Sequence, residues 1–245
     1  MSYGQFRPTS FKILPPVVKN LLIINGLFFL ATYTLGSSFR IDLNSILGLH
    51  YPLSESFSPY QMVSYMFMHG GFGHLFFNMF ALWMFGNALE NVWGPKRFLS
   101  YYMVTGIGAA VVQIIVTYIR IRAIESQLDP MVVQRVYEEG AEILGRNMNY
   151  SDPLLGKLNA MINSTTVGAS GAVFGILLAF GMLFPNSVIY LYFAIPIKAK
   201  WFVIIYGAIE LYAGLANNPA DNVAHFAHLG GMIFGFFLIK YWKRR

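Results

Sequence analysis

Six stretches of this sequence are apolar over roughly the length that crosses a lipid bilayer, and they constrain the fold more than any other feature. A helix needs roughly 20 residues to span the hydrocarbon core, where only helices and closed barrels satisfy their backbone hydrogen bonds internally. Charged residues make up only 11% of the chain, against about 25% in a soluble domain. We therefore predict an all-α, polytopic membrane protein with six transmembrane helices, at about residues 17–35, 72–93, 98–119, 168–188, 200–215 and 223–241.

The connection between the fourth and fifth predicted helices is irregular. Its sequence, "FPNSVIYLYFAIPIKAKWF", contains Pro185 and Pro196, and a proline interrupts helical hydrogen bonding. The short apolar piece between the two prolines is therefore left without a helix, and we expect it to form a connection at the membrane interface.

The positions of the basic residues predict the orientation in the membrane. Six spans place both termini on one side, and the cytoplasmic side carries the excess of Lys and Arg. We therefore predict a short cytoplasmic segment over residues 1–16 and a membrane domain over residues 17–243. Its larger outer loops cover about residues 36–71 and 120–167, the second polar enough to form short amphipathic helices. Of the 17 basic residues, eleven fall on the side of the termini: Arg7, Lys12, Lys19, Lys96, Arg97, Lys198, Lys200, Lys240, Lys243, Arg244 and Arg245.

Several classes of function are disfavoured by what the sequence lacks. The chain has no cysteine, which excludes disulfides and thiolate metal sites. Its basic residues are scattered rather than gathered in a stripe with aromatic residues, so we expect no nucleic-acid partner. The absence of an H-E-x-x-H motif argues against a zinc protease, and we expect neither a metal nor another cofactor. No internal repeat supports a transporter built from paired halves.

The five histidines, which fall at the outer ends of the predicted helices or in the outer loops, give the first functional signal. In "MHGGFGHLFFN", His74 and Asn78 are four residues apart and share one face of the second helix. Polar groups in a membrane segment indicate a functional site by default. The alternative is hydrogen bonding between helices that only supports packing. All five histidines are His50, His69, His74, His225 and His228.

The stretches "STTVGASGAVFG" and "AHFAHLGGMIFG" carry matching pairs of small residues. Gly171 and Gly175 on the fourth helix, like Gly231 and Gly235 on the sixth, are spaced four apart, which lets helix backbones approach closely. Two such faces packed together would bring Ser170 and His228 within hydrogen-bonding reach. Plain helix packing explains the glycines equally well, but it leaves a hydroxyl and an imidazole at the same depth unexplained.

A serine at a helix N-terminus beside an imidazole can act as a nucleophile. Free backbone N–H groups and the helix dipole favour negative charge there, and the imidazole can take the hydroxyl proton. His74, Asn78 and the Ser170 N–H could then form an oxyanion hole. The sequence offers no obvious third member of a triad, since Asp221 is at a loop edge, seven residues before His228. We therefore predict a serine–histidine dyad.

These three motifs, in this order, resemble those of the rhomboid intramembrane serine proteases. The family pattern H-x4-H-x3-N, G-x-S-G and A-H-x2-G-x3-G is matched at every spacing, and the similarity covers about residues 15–243. It implies Ser170 as the nucleophile, His228 as the general base and acid, and His74 and Asn78 as oxyanion donors. It further implies a group of residues that line the site, namely His69, Gly168, Gly171, Phe174 and His225, and a group that packs helices, namely Gly175, Gly231 and Gly235.

The sequence departs from the family pattern at two places. Many members carry Trp-Arg in the first outer loop, where this chain has Tyr60 and Gln61. Some members stack a tyrosine on the histidine, where this chain has Phe174, which can stack but cannot donate a hydrogen bond. Glu90 matches a position that we interpret as structural, and Glu210 is left without a role beyond that of a buried protonated or paired carboxyl.

The expected function is cleavage of single-span membrane proteins near the outer membrane face, with transmembrane-helix substrates and the lipid bilayer as partners. The compact six-helix core resembles bacterial members, which favours the bacterial inner membrane. One alternative is a non-catalytic relative that binds client helices, although such relatives usually lack the serine and histidine. Another is a channel or transporter with a histidine relay, which would need ionisable residues along a path through the bilayer rather than at one depth.

Overall fold

The computed structural model describes residues 12–191, 194–216 and 223–244. Long helical segments coincide with the six apolar runs. The second of them is continuous but changes to a π-helical turn over Leu82–Gly86, between two α-helical parts. The segments are α1 (Pro16–Phe39), α4 (Phe72–Ala81) with α5 (Asn87–Trp93), α6 (Pro95–Glu125), α9 (Ser170–Leu183), α10 (Ala199–Ala216) and α11 (His225–Lys243).

Three of the described helices, α1, α6 and α10, are long and apolar enough to cross a membrane, while α9 is a shorter apolar helix. Large apolar side chains on α1 and α10, such as Leu30 and Tyr212, are exposed rather than packed in the protein. Such surfaces are stable against lipid but not against water. The predicted class, an all-α polytopic membrane bundle, is confirmed, while the number of six crossings stays a prediction.

Helix α9 lies at the centre of the bundle and contacts α4, α5, α6, α10 and α11. It is apolar on all sides, as expected of a helix surrounded by others. Gly231 of α11 lies directly on the backbone of Gly171, where a Cβ would come within 1.8 Å of the carbonyl oxygen. The other two glycines do not extend this seam, because Gly175 packs on Thr105 of α6 and Gly235 on the Tyr101 hydroxyl and Thr105.

Glu90 stabilises the start of α1. This carboxylate, in the middle of α5, is only 2% exposed. It accepts hydrogen bonds from the N–H groups of Val17 at 2.9 Å and Val18 at 2.8 Å. A carboxylate at a helix N-terminus satisfies free N–H groups and interacts favourably with the helix dipole. The structure therefore gives Glu90 a helix-capping contact that links two helices.

The segment that precedes α4 is organised around Gln61. It contains α2 (Leu43–Leu47) and α3 (Gln61–Ser64), which runs into a 3₁₀ turn over Tyr65–Phe67. The Gln61 amide donates to the carbonyls of Ile46 and Ser56 and accepts from the N–H groups of His50 and Ser58. The side chain is 1% exposed. Gln61 thus holds four backbone groups of this segment in place.

The segment over residues 120–167 folds into α7 (Pro130–Gly145) and α8 (Pro153–Asn163). These two helices share a small apolar core with the end of α6, formed by Ile121, Val136, Leu158 and Ile162. A bridge between Leu49 and Thr166 joins this segment to the one before α4. Their location outside the membrane stays a prediction.

The connection between α9 and α10 contains a β-hairpin that the sequence pattern did not predict. Strands β1 (Val188–Leu191) and β2 (Ile195–Lys198) pair antiparallel, with Ile189 opposite Ile197. The expected fourth helix was drawn too long, since α9 ends at Leu183, before Pro185. Residues of β1 line the cavity described below, among them the buried Ile189.

Candidate active site

Ser170 is the first residue of α9, at the end of a turn that only glycine fits well. Gly168 has a φ of +133°, a conformation that L side chains rarely adopt. The chain therefore turns sharply into the helix and exposes the N-terminal N–H groups, which have no acceptor within their own helix. Negative charge that develops on an atom near Ser170 is stabilised by these N–H groups and by the helix dipole.

His228, in the first turn of α11, is held against Ser170. Its Nε2 lies 2.8 Å from the Ser170 Oγ, which is a hydrogen-bonding distance. Its ring stacks on Phe174 with ring centroids 4.1 Å apart and planes within 6°. The contact of Gly231 with Gly171 brings the two helices this close together. The two residues predicted as a dyad are therefore in direct contact.

Glu210 on α10 completes a chain of contacts that the sequence did not reveal. Its Oε2 lies 2.8 Å from the Nδ1 of His228 and 2.7 Å from the Nδ1 of His225. The residue is 5% exposed. The carboxyl without an assigned role is therefore paired with two histidines, one of which contacts Ser170. Asp221, which we did not assign as the third member of a catalytic triad, lies outside the described residues.

His74 approaches Ser170 across Gly168. A Cβ on residue 168 would lie 2.7 Å from the His74 Nε2 and 3.5 Å from the Ser170 Oγ, so both atoms are next to the same point. Asn78, one turn along α4, is buried and donates a hydrogen bond to the His74 carbonyl at 2.9 Å. The two predicted oxyanion donors thus lie on one face of α4, and the imidazole is near the nucleophile.

His69 contacts this group through His74. The two rings meet edge-on with centroids 5.0 Å apart. Burial, and secondarily the nearby His74, lowers the pKa of His69 to about 4. His69 is therefore neutral at physiological pH. It is not among the described residues that line the cavity, so its contact with the site is indirect.

A cavity of about 910 Å³ opens in front of Ser170. Residues of α4, α9, β1, α10 and the start of α11 line it. Its wall is mainly apolar, with the polar groups gathered near Ser170. A volume of this size accommodates an extended peptide segment with its side chains. The wall includes most of the predicted site residues: His74, Asn78, Gly168, Ser170, Gly171, Phe174, His225 and His228.

Glu210, His225 and His228 are also residue types that bind metal ions, and their ligand atoms lie within 4.8 Å of one another. Ligands of a tetrahedral zinc ion at bond lengths near 2.0 Å are about 3.3 Å apart. The separations of 2.7 and 2.8 Å to the carboxylate are shorter and are those of hydrogen bonds. We therefore interpret the cluster as hydrogen-bonded, and the absence of a metal or cofactor requirement stays a prediction.

The model of the Rhomboid domain matches residues 56–121 and 143–245, which is more than half of the chain. The matched regions contain all three motifs and every residue of the cluster around Ser170. The chain therefore belongs to the rhomboid family, which confirms the resemblance drawn from the motifs. It is an integral membrane protein.

Several named relatives support the assignment. Rhomboid protein 1, mitochondrial, of Saccharomyces cerevisiae is 28% identical over 73% of this chain and 40% of its own length. Rhomboid protease AarA of Providencia stuartii is 28% identical over 69% of the chain and 51% of its own length. Rhomboid protease GluP of Bacillus subtilis is 26% identical over 73% of the chain and 25% of its own length. The chain thus spans about half or less of the length of these relatives.

Proposed function

We propose that this chain is an intramembrane serine endopeptidase that cleaves single-span membrane proteins. The observation that carries the proposal is the 2.8 Å contact between the Ser170 Oγ and the His228 Nε2 at a helix N-terminus, inside an apolar membrane bundle. Two relatives, AarA and GluP, are named as rhomboid proteases. The contact and the names of these relatives both support peptide-bond hydrolysis.

In the proposed reaction, His228 takes the hydroxyl proton on Nε2 while the Ser170 Oγ attacks a peptide carbonyl. The negative charge on the carbonyl oxygen is stabilised by the Ser170 N–H, with His74 and Asn78 as further donors. His228 then gives its proton to the amine as the C–N bond breaks. The amine departs, and the acyl group remains on Ser170 as an ester. Water, deprotonated by His228, hydrolyses this ester and restores the hydroxyl.

The cavity supports a transmembrane helix as the substrate. It lies between α4 and α10, and its wall is mainly apolar, so an apolar segment could enter from the lipid between these two helices. Peptide carbonyls within a helix are engaged in hydrogen bonds, and the scissile bond becomes accessible only after local unwinding. Substrates should therefore carry Gly, Ser or other residues that weaken a helix near the outer membrane face.

For the location we propose the bacterial inner membrane, with both termini cytoplasmic. The excess of basic residues on the side of the termini supports this orientation. Mitochondrial relatives such as the yeast protein make a mitochondrial membrane the competing location. A reporter that fluoresces only in the cytoplasm, fused after residue 245 and expressed in a bacterial host, should be fluorescent. A dark reporter on a membrane-inserted protein would contradict the orientation.

The proposal is tested by cleavage of a fluorescent single-span substrate, with Ala and Gly at the outer end of its helix, in liposomes. Wild-type protein should release two fragments, and Ser170→Ala should release none. The matched control is Ser164→Ala, which removes a nearby serine that is not among the described residues of the cavity wall and should cleave like wild type. Folded wild-type protein that cleaves no such substrate would favour the non-catalytic helix-binding relative instead.

A further inference from the structure

We propose that Glu210 is a positioning residue for the reaction, because its carboxylate holds His228 in the orientation and tautomer that accept the Ser170 proton. This inference rests on the proposed protease function and extends it from a dyad to a serine–histidine–glutamate arrangement. It starts from one juxtaposition: Ser170, His228 and Glu210, on three different helices, form a continuous series of 2.8 Å contacts.

The tautomer follows from the hydrogen-bonding capacity of each group. An ionised carboxylate can only accept hydrogen bonds, so the His228 Nδ1 beside it must carry the proton. In a neutral imidazole the other nitrogen is then unprotonated. The Nε2 that faces the Ser170 Oγ is therefore the atom with the free lone pair. Glu210 thus selects the form of His228 that can act as a base, rather than the form that would donate a proton to the serine.

His225 helps to hold the Glu210 carboxylate in one orientation. It is three residues before His228 on α11, so both side chains project from the same part of the helix. Both Nδ1 atoms contact the same oxygen, Glu210 Oε2. A carboxylate with two donors on one oxygen has little freedom to rotate. The arrangement also explains how an acidic residue is tolerated in an apolar helix, since buried charges need hydrogen-bond partners.

The other charged groups nearby leave this arrangement undisturbed. Arg120 of α6 donates to the Gly214 carbonyl near the end of α10 at 2.6 Å, and its guanidinium lies over the Phe226 ring. It therefore engages the α10 backbone one turn beyond Glu210. His74 is a further titratable group close enough to interact electrostatically with His228. Among the described residues, the Glu210 side chain is hydrogen-bonded to histidines alone.

The proposed step conserves every proton. The Ser170 Oγ loses its hydrogen to the His228 Nε2 as the bond to the substrate carbonyl carbon forms. The Nδ1 hydrogen stays on His228, and the imidazolium is stabilised by the adjacent carboxylate, which itself stays ionised. His228 then gives the Nε2 proton to the amine that leaves when the C–N bond breaks. Glu210 acts only through His228 and does not contact the substrate in this scheme.

The first variant to test is Glu210→Gln, which keeps the size and hydrogen-bonding capacity of the side chain but removes its charge. We expect its kcat to fall by about 10⁴-fold, the loss that removing the charge of the positioning aspartate causes in a Ser-His-Asp triad, with KM nearly unchanged. Glu210→Asp keeps the charge on a shorter side chain and should recover at least tenfold of the loss. The matched control is Glu90→Gln, another buried carboxylate, which should leave kcat unchanged.

Several outcomes would overturn the inference without touching the protease proposal. One is wild-type kcat in a folded Glu210→Gln variant while Ser170→Ala is inactive. Another is inactivation of wild type, but not of His225→Asn, by a metal chelator, which would make the cluster a metal site. A folded wild-type protein that neither cleaves the substrate nor reacts with a fluorophosphonate would instead reject the protease function.

A measurement on the wild-type protein covers the case in which Glu210→Gln does not fold. Nitrogen-15 NMR of histidine-labelled protein distinguishes the two tautomers of each imidazole. We expect His228, assigned by difference from His228→Gln, to carry its proton on Nδ1. A proton on Nε2 in the resting protein would overturn the inference.

Discussion

Replacing Gly168 by alanine should damage the site more than the fold. The residue has a φ of +133°, so any side chain is strained there. Non-glycine residues in sparsely populated backbone regions typically cost about 1 to 3 kcal/mol. The new methyl group would also lie 2.7 Å from the His74 Nε2, whereas ordinary contacts of this kind begin at 3.4 Å. The His74 ring must therefore retreat by about 0.7 Å, or the turn must move Ser170 instead.

Either movement removes an interaction that the proposed reaction needs. Hydrogen bonds extend over only about 2.7 to 3.2 Å, so a shift of this size takes His74 out of reach of the oxyanion. Loss of one oxyanion donor typically lowers kcat about 10²- to 10³-fold, equivalent to roughly 3 to 4 kcal/mol. We therefore expect a kcat at least 100-fold below wild type and a loss of about 1 to 3 kcal/mol in the free energy of unfolding.

The assay compares Gly168→Ala with Gly71→Ala in the liposome cleavage reaction, and thermal unfolding in detergent reports the stability of each variant. Gly71 lies three residues before His74 and is not among the described residues of the cavity wall, and a Cβ there would meet no atom within 4 Å. Gly71→Ala should therefore cleave at the wild-type rate. If Gly168→Ala retained a kcat within threefold of wild type, the proposed placement of His74 beside the oxyanion would be refuted.

Three further predictions concern the framework around the site. Gln61→Ala leaves two buried N–H groups and two carbonyls without their side-chain partner and should lower the free energy of unfolding by about 1 to 3 kcal/mol; unchanged thermal unfolding would contradict this. Glu90→Ala removes the cap of α1 and should lower stability by about 1 to 3 kcal/mol without changing kcat in the folded fraction, so a catalytic defect at full stability would contradict the capping role. Because the pKa of His69 is lowered from 6.5 to about 4, the unfolded chain binds more protons between these values, and stability should fall by about 3 kcal/mol as the pH drops across that window. His69→Phe should make this slope shallower in thermal unfolding from pH 4 to 7, and a variant with the same slope as wild type would contradict the burial of His69.

The sequence predicted the helices well because length and hydropathy decide which segments can lie in a bilayer. The runs at 17–35 and 98–119 became α1 and α6 with a few residues added at each end. The fourth helix was overextended to residue 188, because the apolar residues beyond Pro185 are equally suited to a strand. Short apolar runs do not distinguish a helix end from a hairpin, since burial alone does not fix periodicity.

The dyad was predictable because each of its residues lies in a motif with small residues at helical spacing. Glu210 was not, although one signal was present: an acidic residue in an apolar helix, in the half of α10 that leads towards α11. What the sequence lacks is the rotation of α10 relative to α11, which decides whether a carboxylate meets His228 or another helix. The same limit applies to Gly175 and Gly235. Their spacing indicated a close approach between helices but not that both would face α6.

Covalent trapping tests most directly whether Ser170 is a nucleophile activated by His228. The protein in detergent is treated with a fluorophosphonate, digested and analysed by mass spectrometry, alongside His228→Ala. We predict a single adduct on the peptide that contains Ser170 in the wild type, and at most a trace of it in the variant. An unmodified Ser170 in folded wild-type protein, or equal labelling of the two proteins, would contradict the account.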